Sequence, residues 1–264
     1  MVGFYDSGVG GLTILQEVLK LQPNFSYIYL ADTKALPLGD KTVEFIRNCV
    51  KEACIKLFNL GCDVVVLACN TASVTSIRYI QQVWLKENYP DKQVLSITSP
   101  LLELAEEELG PSINKLGLLF STLATHNSGF YQYELIKKGF VNCKSVPLSG
   151  LADAIEKGDT SSVKNVITDK ISTSSIYPET IEYIILACTH YKWAIEEIQT
   201  IFPKAKIIEP SVVVAIKLLD YLNRHQKYVI NKKCKTGFIT TGSDKNFIKF
   251  AKNIGIENVD IRGY

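Results

Sequence analysis

Residues 64–71 read VVVLACNT, and residues 183–190 read YIILACTH. Each is an unbroken apolar run rich in β-branched residues that ends in Leu-Ala-Cys, followed by two small or polar residues where a helical pattern begins. A short apolar run of this kind marks a strand buried on both faces of a parallel sheet. Outward from the first stretch the same alternation recurs: VGFY (2–5) precedes GLTILQEVLKL (11–21), YIYL (27–30) precedes TVEFIRNCVKEACIKLFNL (42–60), and the strand at 64–68 precedes TASVTSIRYIQQVWL (71–85). A polar break around Gln93–Pro100 separates this series from a second one. There KLGLLF (115–120) precedes THNSGFYQYELIKK (125–138), VNCKSV (141–146) precedes LADAIE (151–156), and YIILA (183–187) precedes HYKWAIEEIQTIF (190–202). Strands alternating with longer helices predict βαβ units. A helix, SVVVAIKLLDYLNRH (211–225), and a strand–helix–strand running from KTGFITT to ENVDIR (235–262) close the chain. Pattern alone assigns these last elements to neither half.

The two series correspond in detail. LPLGD (36–40) matches VPLSG (146–150), each after a strand, and FYDSGVGG (4–11) matches LFSTLATHNSG (119–129) in position. Chance likeness between buried strands competes with duplication. The pairing of three segments in one order favours two similar α/β domains, with mainly parallel sheets related by pseudo-two-fold symmetry and a cleft between them.

Bulk properties narrow the function. At 264 residues the chain exceeds one simple domain. Hydrophobic residues at 47% and charged residues at 21% describe a globular chain able to build a core. The formal charge is only +2 and the lysines are scattered, so no nucleic-acid partner is expected. No apolar run approaches the roughly 20 residues of a membrane helix, and the opening MVGFYDSG has no signal-peptide pattern, so a cytoplasmic protein with no membrane partner is expected. Seven cysteines, Cys49, Cys54, Cys62, Cys69, Cys143, Cys188 and Cys234, lack any CxxC or framework spacing, which predicts reduced thiols and neither structural disulfides nor zinc.

Two of those cysteines stand out. Cys69 and Cys188 each lie just past a buried strand at the start of a helix, where unpaired N–H groups and the helix dipole favour an anion such as a thiolate. The bland alternative for any one of them is a small buried hydrophobe, which does not account for two at equivalent strand ends. Ligands in open α/β sheets bind beyond the carboxyl ends of the strands, and Asp6, Ser7, Asn70, Thr71, Thr189 and His190 all fall there. DSGVGG is neither GxxxxGK[ST] nor GxGxxG, so a nucleotide reading is weak; its glycines suit close approach to a carboxylate, with Ser7 as a donor. Asp6 reads otherwise as a helix N-cap, and Ser7 as a turn residue. His190, two residues after Cys188, could orient it or hand it a proton, or could simply start a helix. His225, near a helix end, reads as a dipole partner. Cys188 with His190 also permits a hydrolase, which would leave Cys69 without a role.

At these residues the sequence resembles the glutamate racemases of the aspartate/glutamate racemase superfamily, nearly end to end. The resemblance is carried by FYDSGVGGLTIL, ADTKALPLGDKT, ACNTAS, STLATHNSGFYQ, ACTHY and TTGSDKNFIKFA. It implies one domain of about residues 1–97 plus 209–264, a second of about 98–208, and an amino acid bound between them. It implies a reaction without pyridoxal phosphate: one thiolate takes the α-proton and the opposite thiol donates another. Cys69 would act on the D-enantiomer and Cys188 on the L-enantiomer, assisted by Asp6 and His190. Ser7, Leu38, Gly39, Asn70, Thr71, Thr122 and Thr189, with Asp6 and His190, fall on the family's substrate positions. The partner implied is a small amino acid; the sequence is compatible with a homodimer and does not fix the oligomeric state.

Three departures accompany the match. Leu38-Gly39 stands where the family has Tyr-Gly. The segment Cys143-Lys-Ser-Val-Pro-Leu-Ser-Gly lacks the family's Phe and the glutamate that supports the second catalytic side. Ile97-Thr98-Ser99-Pro100 lacks an acidic residue before the proline. These leave two alternatives beside a glutamate racemase: a related enzyme acting on aspartate or another small acid, and a non-catalytic binding protein that retains the cleft.

Overall fold

A computed structural model describes residues 1–110, 114–228, 236–243, 245–256 and 261–263. The first half runs Val2–Asp6 (β1), Leu12–Leu21 (α1), Tyr27–Ala31 (β2), Val43–Asn59 (α2), Val64–Leu67 (β3), Asn70–Tyr79 (α3), Leu85–Asn88 (α4), Gln93–Ser96 (β4) and Thr98–Leu109 (α5). The second runs Gly117–Ser121 (β5), Leu123–Asn127 (α6), Phe130–Lys137 (α7), Cys143–Pro147 (β6), Leu151–Lys157 (α8), Thr160–Thr173 (α9), Tyr183–Ala187 (β7), Ile195–Ile201 (α10) and Lys206–Ile208 (β8). Ser211–Arg224 (α11), Thr236–Thr240 (β9), Lys245–Asn253 (α12) and Ile261–Gly263 (β10) follow.

Every described strand pair is parallel. The larger sheet has the order β10-β9-β2-β1-β3-β4, and the smaller has β6-β5-β7-β8. The run β2-β1-β3-β4 and the run β6-β5-β7-β8 are the same topology, so β1 corresponds to β5, β2 to β6 and β3 to β7. That is the correspondence read from the paired segments, and Cys69 and Cys188 follow the matching strands β3 and β7. The closing strands β9 and β10, which pattern left unassigned, extend the larger sheet through pairing of β9 with β2.

The two sheets form because their central strands are apolar up to their carboxyl ends, where Asp6 closes β1 and Ser121 closes β5: β1, β3, β5 and β7 are buried at every position, so each needs a helix layer on both faces. On one face of the larger sheet, α2 buries Ile46, Val50, Leu57 and Phe58 against Tyr5, Val65 and Leu67. On one face of the smaller sheet, α5 and α7 bury Leu101, Leu102, Tyr131 and Leu135. The remaining faces share one core, in which Leu15 and Val18 of α1, Val214 and Leu218 of α11, and Ile167 of α9 belong to a single apolar cluster with Phe4 and Phe120. The domains are thus joined through packed side chains as well as through the chain.

The stretch Gln93–Pro100 is not a break. Gln93–Ser96 forms edge strand β4, paired with β3, and α5 begins at Thr98. Only Val94 of β4 is fully buried, as an edge strand allows, and so the strand carries little apolar pattern. No helix among the described residues is long and apolar enough to cross a membrane.

Candidate active site

A cavity of about 320 Å³ opens between the two sheets. It is lined by the segments just past β1, β2, β3, β5, β6 and β7, as the rule for ligands at the carboxyl ends of parallel strands requires. Ser7, Leu38, Gly39, Cys69, Asn70, Thr71, Thr122, Cys188, Thr189 and His190 all line it. The eleventh residue singled out from sequence, Asp6, lies fully buried behind this lining. A larger groove of about 500 Å³ among α3, α5, α7 and α11 contains none of these residues. Its charges neutralise one another through Arg78–Glu134, Lys217–Glu103 and Arg224–Asp220 pairs.

The glycine-rich loop works by close approach. A Cβ on Gly10 would sit 2.6 Å from His190 Nδ1, and one on Gly8 would sit 2.5 Å from Glu156 Oε1, so this loop reaches the opposite domain only without side chains at these positions. Asp6 does not cap α1. Its Oδ1 accepts the Gly8 N–H at 2.7 Å, and its Oδ2 accepts the Thr189 hydroxyl at 3.3 Å, which ties the end of β1 to the loop after β7.

The two thiols have unlike surroundings. Cys69 is the N-cap of α3, with Ser7 Oγ 3.7 Å from its sulfur. Beside it Thr71 Oγ1 contacts Thr122 Oγ1 across the domains at 2.8 Å. The helix-terminus argument expects an acidified thiol, and a backbone hydrogen bond from Ala72 does pull in that direction. Burial and the Asp6 carboxylate outweigh it and push the Cys69 thiol up to about 12. Cys188 Sγ lies 3.9 Å from His190 Nδ1, and His190 Nε2 lies 2.7 Å from Glu156 Oε1. Burial alone would lower the imidazole, but its hydrogen bonds and charge interactions with Cys188 and Glu156 hold it well above its ordinary value. A cation is therefore kept between a sulfur and a carboxylate.

Glu156 was missed in the sequence. The segment 143–150, strand β6 and the turn after it, indeed lacks a glutamate, but α8 supplies one six residues later, since Gly150 at φ 83° turns the chain into a helix whose fifth and sixth residues are Ile155, packed in the core, and Glu156, turned to His190. The acids that follow the VPLSG turn within two helical turns are Asp153 and Glu156, so the sequence offers two candidates and only the docking of α8 selects Glu156.

His126 bonds Ser145 at 2.8 Å and His225 donates to the Tyr221 carbonyl at 2.8 Å, and neither lines the cavity. Cys49, Cys54, Cys62, Cys69, Cys143 and Cys188 are free thiols; Cys234 lies outside the described residues. Among the described residues no group of three or more His, Cys, Asp and Glu side chains is arranged to hold a metal ion.

Burial pushes the Asp6 carboxyl up to about 6 against the lowering effects of His190 and the Gly8 N–H. A raised carboxyl favours its protonated form on folding, so its stabilisation is complete below the ordinary carboxylate value and is lost as pH rises through about 6. The span corresponds to about 3 kcal/mol at most. Urea unfolding at intervals from pH 4 to pH 7 should show stability falling across that window, and Asp6→Asn should flatten the fall.

No family model matches the chain. The glutamate racemase of Dinoroseobacter shibae is 34% identical over 258 residues, covering 93% of this chain and 92% of that one. A glutamate racemase isoform from Bacillus anthracis superposes with a TM-score of 0.85 at 25% identity, covering 100% of this chain and 97% of the other. The Francisella tularensis glutamate racemase, solved in complex with D-glutamate, superposes with a TM-score of 0.82 at 24% identity over 99% of this chain and 95% of its own. Identity of this order along nearly the whole of both chains shows the family: the chain belongs to the glutamate racemases.

Proposed function

We propose that this protein interconverts L- and D-glutamate by proton transfer between two thiols at the α-carbon, without an organic cofactor, and so supplies D-glutamate for peptidoglycan in the cytoplasm. The observation that carries the reading is that Cys69 and Cys188, at the ends of corresponding strands, line one cavity of a size suited to a single amino acid. In this reading residues 1–97 with 209–264 form one lobe and 98–208 the other, each contributing one thiol.

The chemical difficulty is a weakly acidic α-carbon, because the carbanion's charge must spread into the adjacent carboxylate. Fixed donors aimed at that carboxylate supply much of the rate in a site sheltered from water. Hydroxyls of Ser7, Thr71 and Thr122 and the backbone at Leu38-Gly39 serve here, the Asn70 amide binds the carboxylate in ground and transition state alike, Thr189 stays tied to Asp6, and none of the described lining residues is Lys or Arg. Cys188, beside the charged His190, takes the proton from L-glutamate as thiolate. Cys69, whose proton is held firmly by burial and by Asp6, gives its own to the opposite face. The reverse reaction exchanges these roles, with Asp6 and His190 balancing charge on either side. One chain provides every group used, so a homodimer, which light scattering would reveal, is not required for chemistry.

The test follows ellipticity of L-glutamate, D-glutamate and L-aspartate with the purified protein and no added cofactor. Both glutamate enantiomers should decay to the racemate with aspartate turning over far more slowly. Faster turnover of aspartate would move the protein to the related-enzyme reading, and inertness toward all three would favour a binding protein.

A further inference from the structure

We propose that Tyr131 is a positioning residue, whose hydroxyl holds the Asn70 side-chain amide in the orientation that presents Nδ2 as a donor to the substrate carboxylate. The inference rests on the glutamate reading above, in which Asn70 meets the substrate.

Tyr131 belongs to α7 of the second domain and is fully buried in that domain's core beside Leu135 and Tyr183. Its hydroxyl donates to Asn70 Oδ1 at 2.5 Å, across 61 residues of chain and from one domain to the other. Among the described residues the hydroxyl makes no other hydrogen bond. A buried phenol with a single polar neighbour donates to it or leaves its proton unpaired. Burial and the neighbouring Cys69 push the phenol well above its ordinary range, so it remains a donor at every working pH. The amide carbonyl must therefore face the phenol.

An amide fixed at its oxygen is fixed at its nitrogen too. Asn70 is 1% exposed, lines the cavity, and its Nδ2 is buried with no hydrogen-bond partner. A buried donor left unpaired in a protein's resting state marks a place where a partner is to arrive. On the cavity wall, beside Cys69, that partner is the carboxylate of the amino acid. With the phenol oxygen absent, the amide is free to rotate and offer its carbonyl to an anion, which repels it. Because the hydroxyl comes from the second domain and the amide from the first, the donor is oriented only when the two domains are seated together.

The carboxylate is charged before and during proton transfer, so the lost contact weakens ground state and transition state alike and appears in KM more than in kcat. Tyr131→Phe, which keeps the ring, should raise KM for both enantiomers about tenfold, equivalent to about 1.4 kcal/mol, with kcat changed less than about threefold. Asn70→Ala should raise KM at least as much, and the double variant no further than Asn70→Ala alone. An unchanged KM in Tyr131→Phe, a loss confined to kcat, or effects of the two substitutions that multiply would each overturn the proposal. Should Tyr131→Phe not fold, ¹⁵N spectra of the native enzyme decide. The Asn70 side-chain amide pair, identified by its disappearance in Asn70→Ala, should shift on addition of D-glutamate, and a pair that stays put overturns the proposal. Native enzyme that fails to racemise glutamate in the same assay counts against the functional reading instead.

Discussion

Cys69→Ser and Cys188→Ser are each expected to lower kcat/KM for racemisation by at least about a thousandfold, near the upper part of the range for losing a positioned acid–base group. An alcohol is a far weaker acid than a thiol, so serine neither removes the α-proton nor carries the alkoxide that donation would leave behind. The two enantiomers have equal free energy in an achiral solvent, so the ratio of kcat/KM for L- and D-glutamate must stay at one in every variant. The fall is therefore equal in both directions, whichever thiol is lost. The asymmetry appears in a different observable. With only Cys69 remaining, D-glutamate can still lose its α-proton to that thiolate and regain a solvent-derived proton from it without inverting. Cys188→Ser should then exchange the α-proton of D-glutamate and not of L-glutamate in deuterated buffer, and Cys69→Ser the converse. Proton NMR reads both, and exchange of both enantiomers in either variant would contradict the assignment of one thiol to each face.

Glu156→Gln should reduce kcat/KM on the alkaline side of the profile by roughly ten- to a hundredfold, with a loss that grows as pH rises. The glutamate's charge, 2.7 Å from His190 Nε2, helps hold that imidazole protonated well above its ordinary value. Glutamine preserves the hydrogen bond and removes the charge, so the imidazole releases its proton at lower pH; opposite charges this close shift a neighbour by one to three units. A histidine whose protonated form is needed supports activity below its pKa and not above it. The alkaline limb of the kcat/KM profile should accordingly move down by at least about one unit, with activity recovering toward the native level as pH falls. A reduction of the same size at every pH would show that Glu156 acts through packing rather than charge.

The parts of this site that were legible in the sequence are those where local pattern and chemistry coincide. VVVLACNT and YIILACTH announce buried strands because parallel strands have no polar face to interrupt the run, and the cysteines gain meaning from their repetition at the strand ends. The loop segment after β1 carried glycines and a serine suited to close approach of a ligand, whereas Leu38 and Gly39 after β2 entered only through the resemblance to the family. What escaped depended on tertiary context. Gln93–Ser96 is a strand because β3 offers it an edge, and nothing within its four residues says so. Glu156 lies on the exposed-looking side of a short helix and becomes a partner of His190 only when α8 docks on the segment Thr189–Ala194 that follows Cys188. The Cys69 thiol was misread in direction: the helix terminus is local and visible, while the burial and the Asp6 carboxylate that dominate it arrive from the fold. Leu38 replaces an aromatic ring of the family's pattern, yet it is 2% exposed and packs with Tyr5 and Cys69, so the loss of a hydroxyl there is accompanied by an intact apolar wall.

The central claim, proton removal on one face and delivery on the other by different thiols, is tested most directly by running the native enzyme in deuterium oxide with L-glutamate and separating the enantiomers at low conversion. The account predicts that the D-glutamate formed carries deuterium at the α-carbon from the first time point, while the recovered L-glutamate retains its proton. Deuterium appearing equally in both enantiomers from the start would mean that a single group serves both faces, and would contradict it.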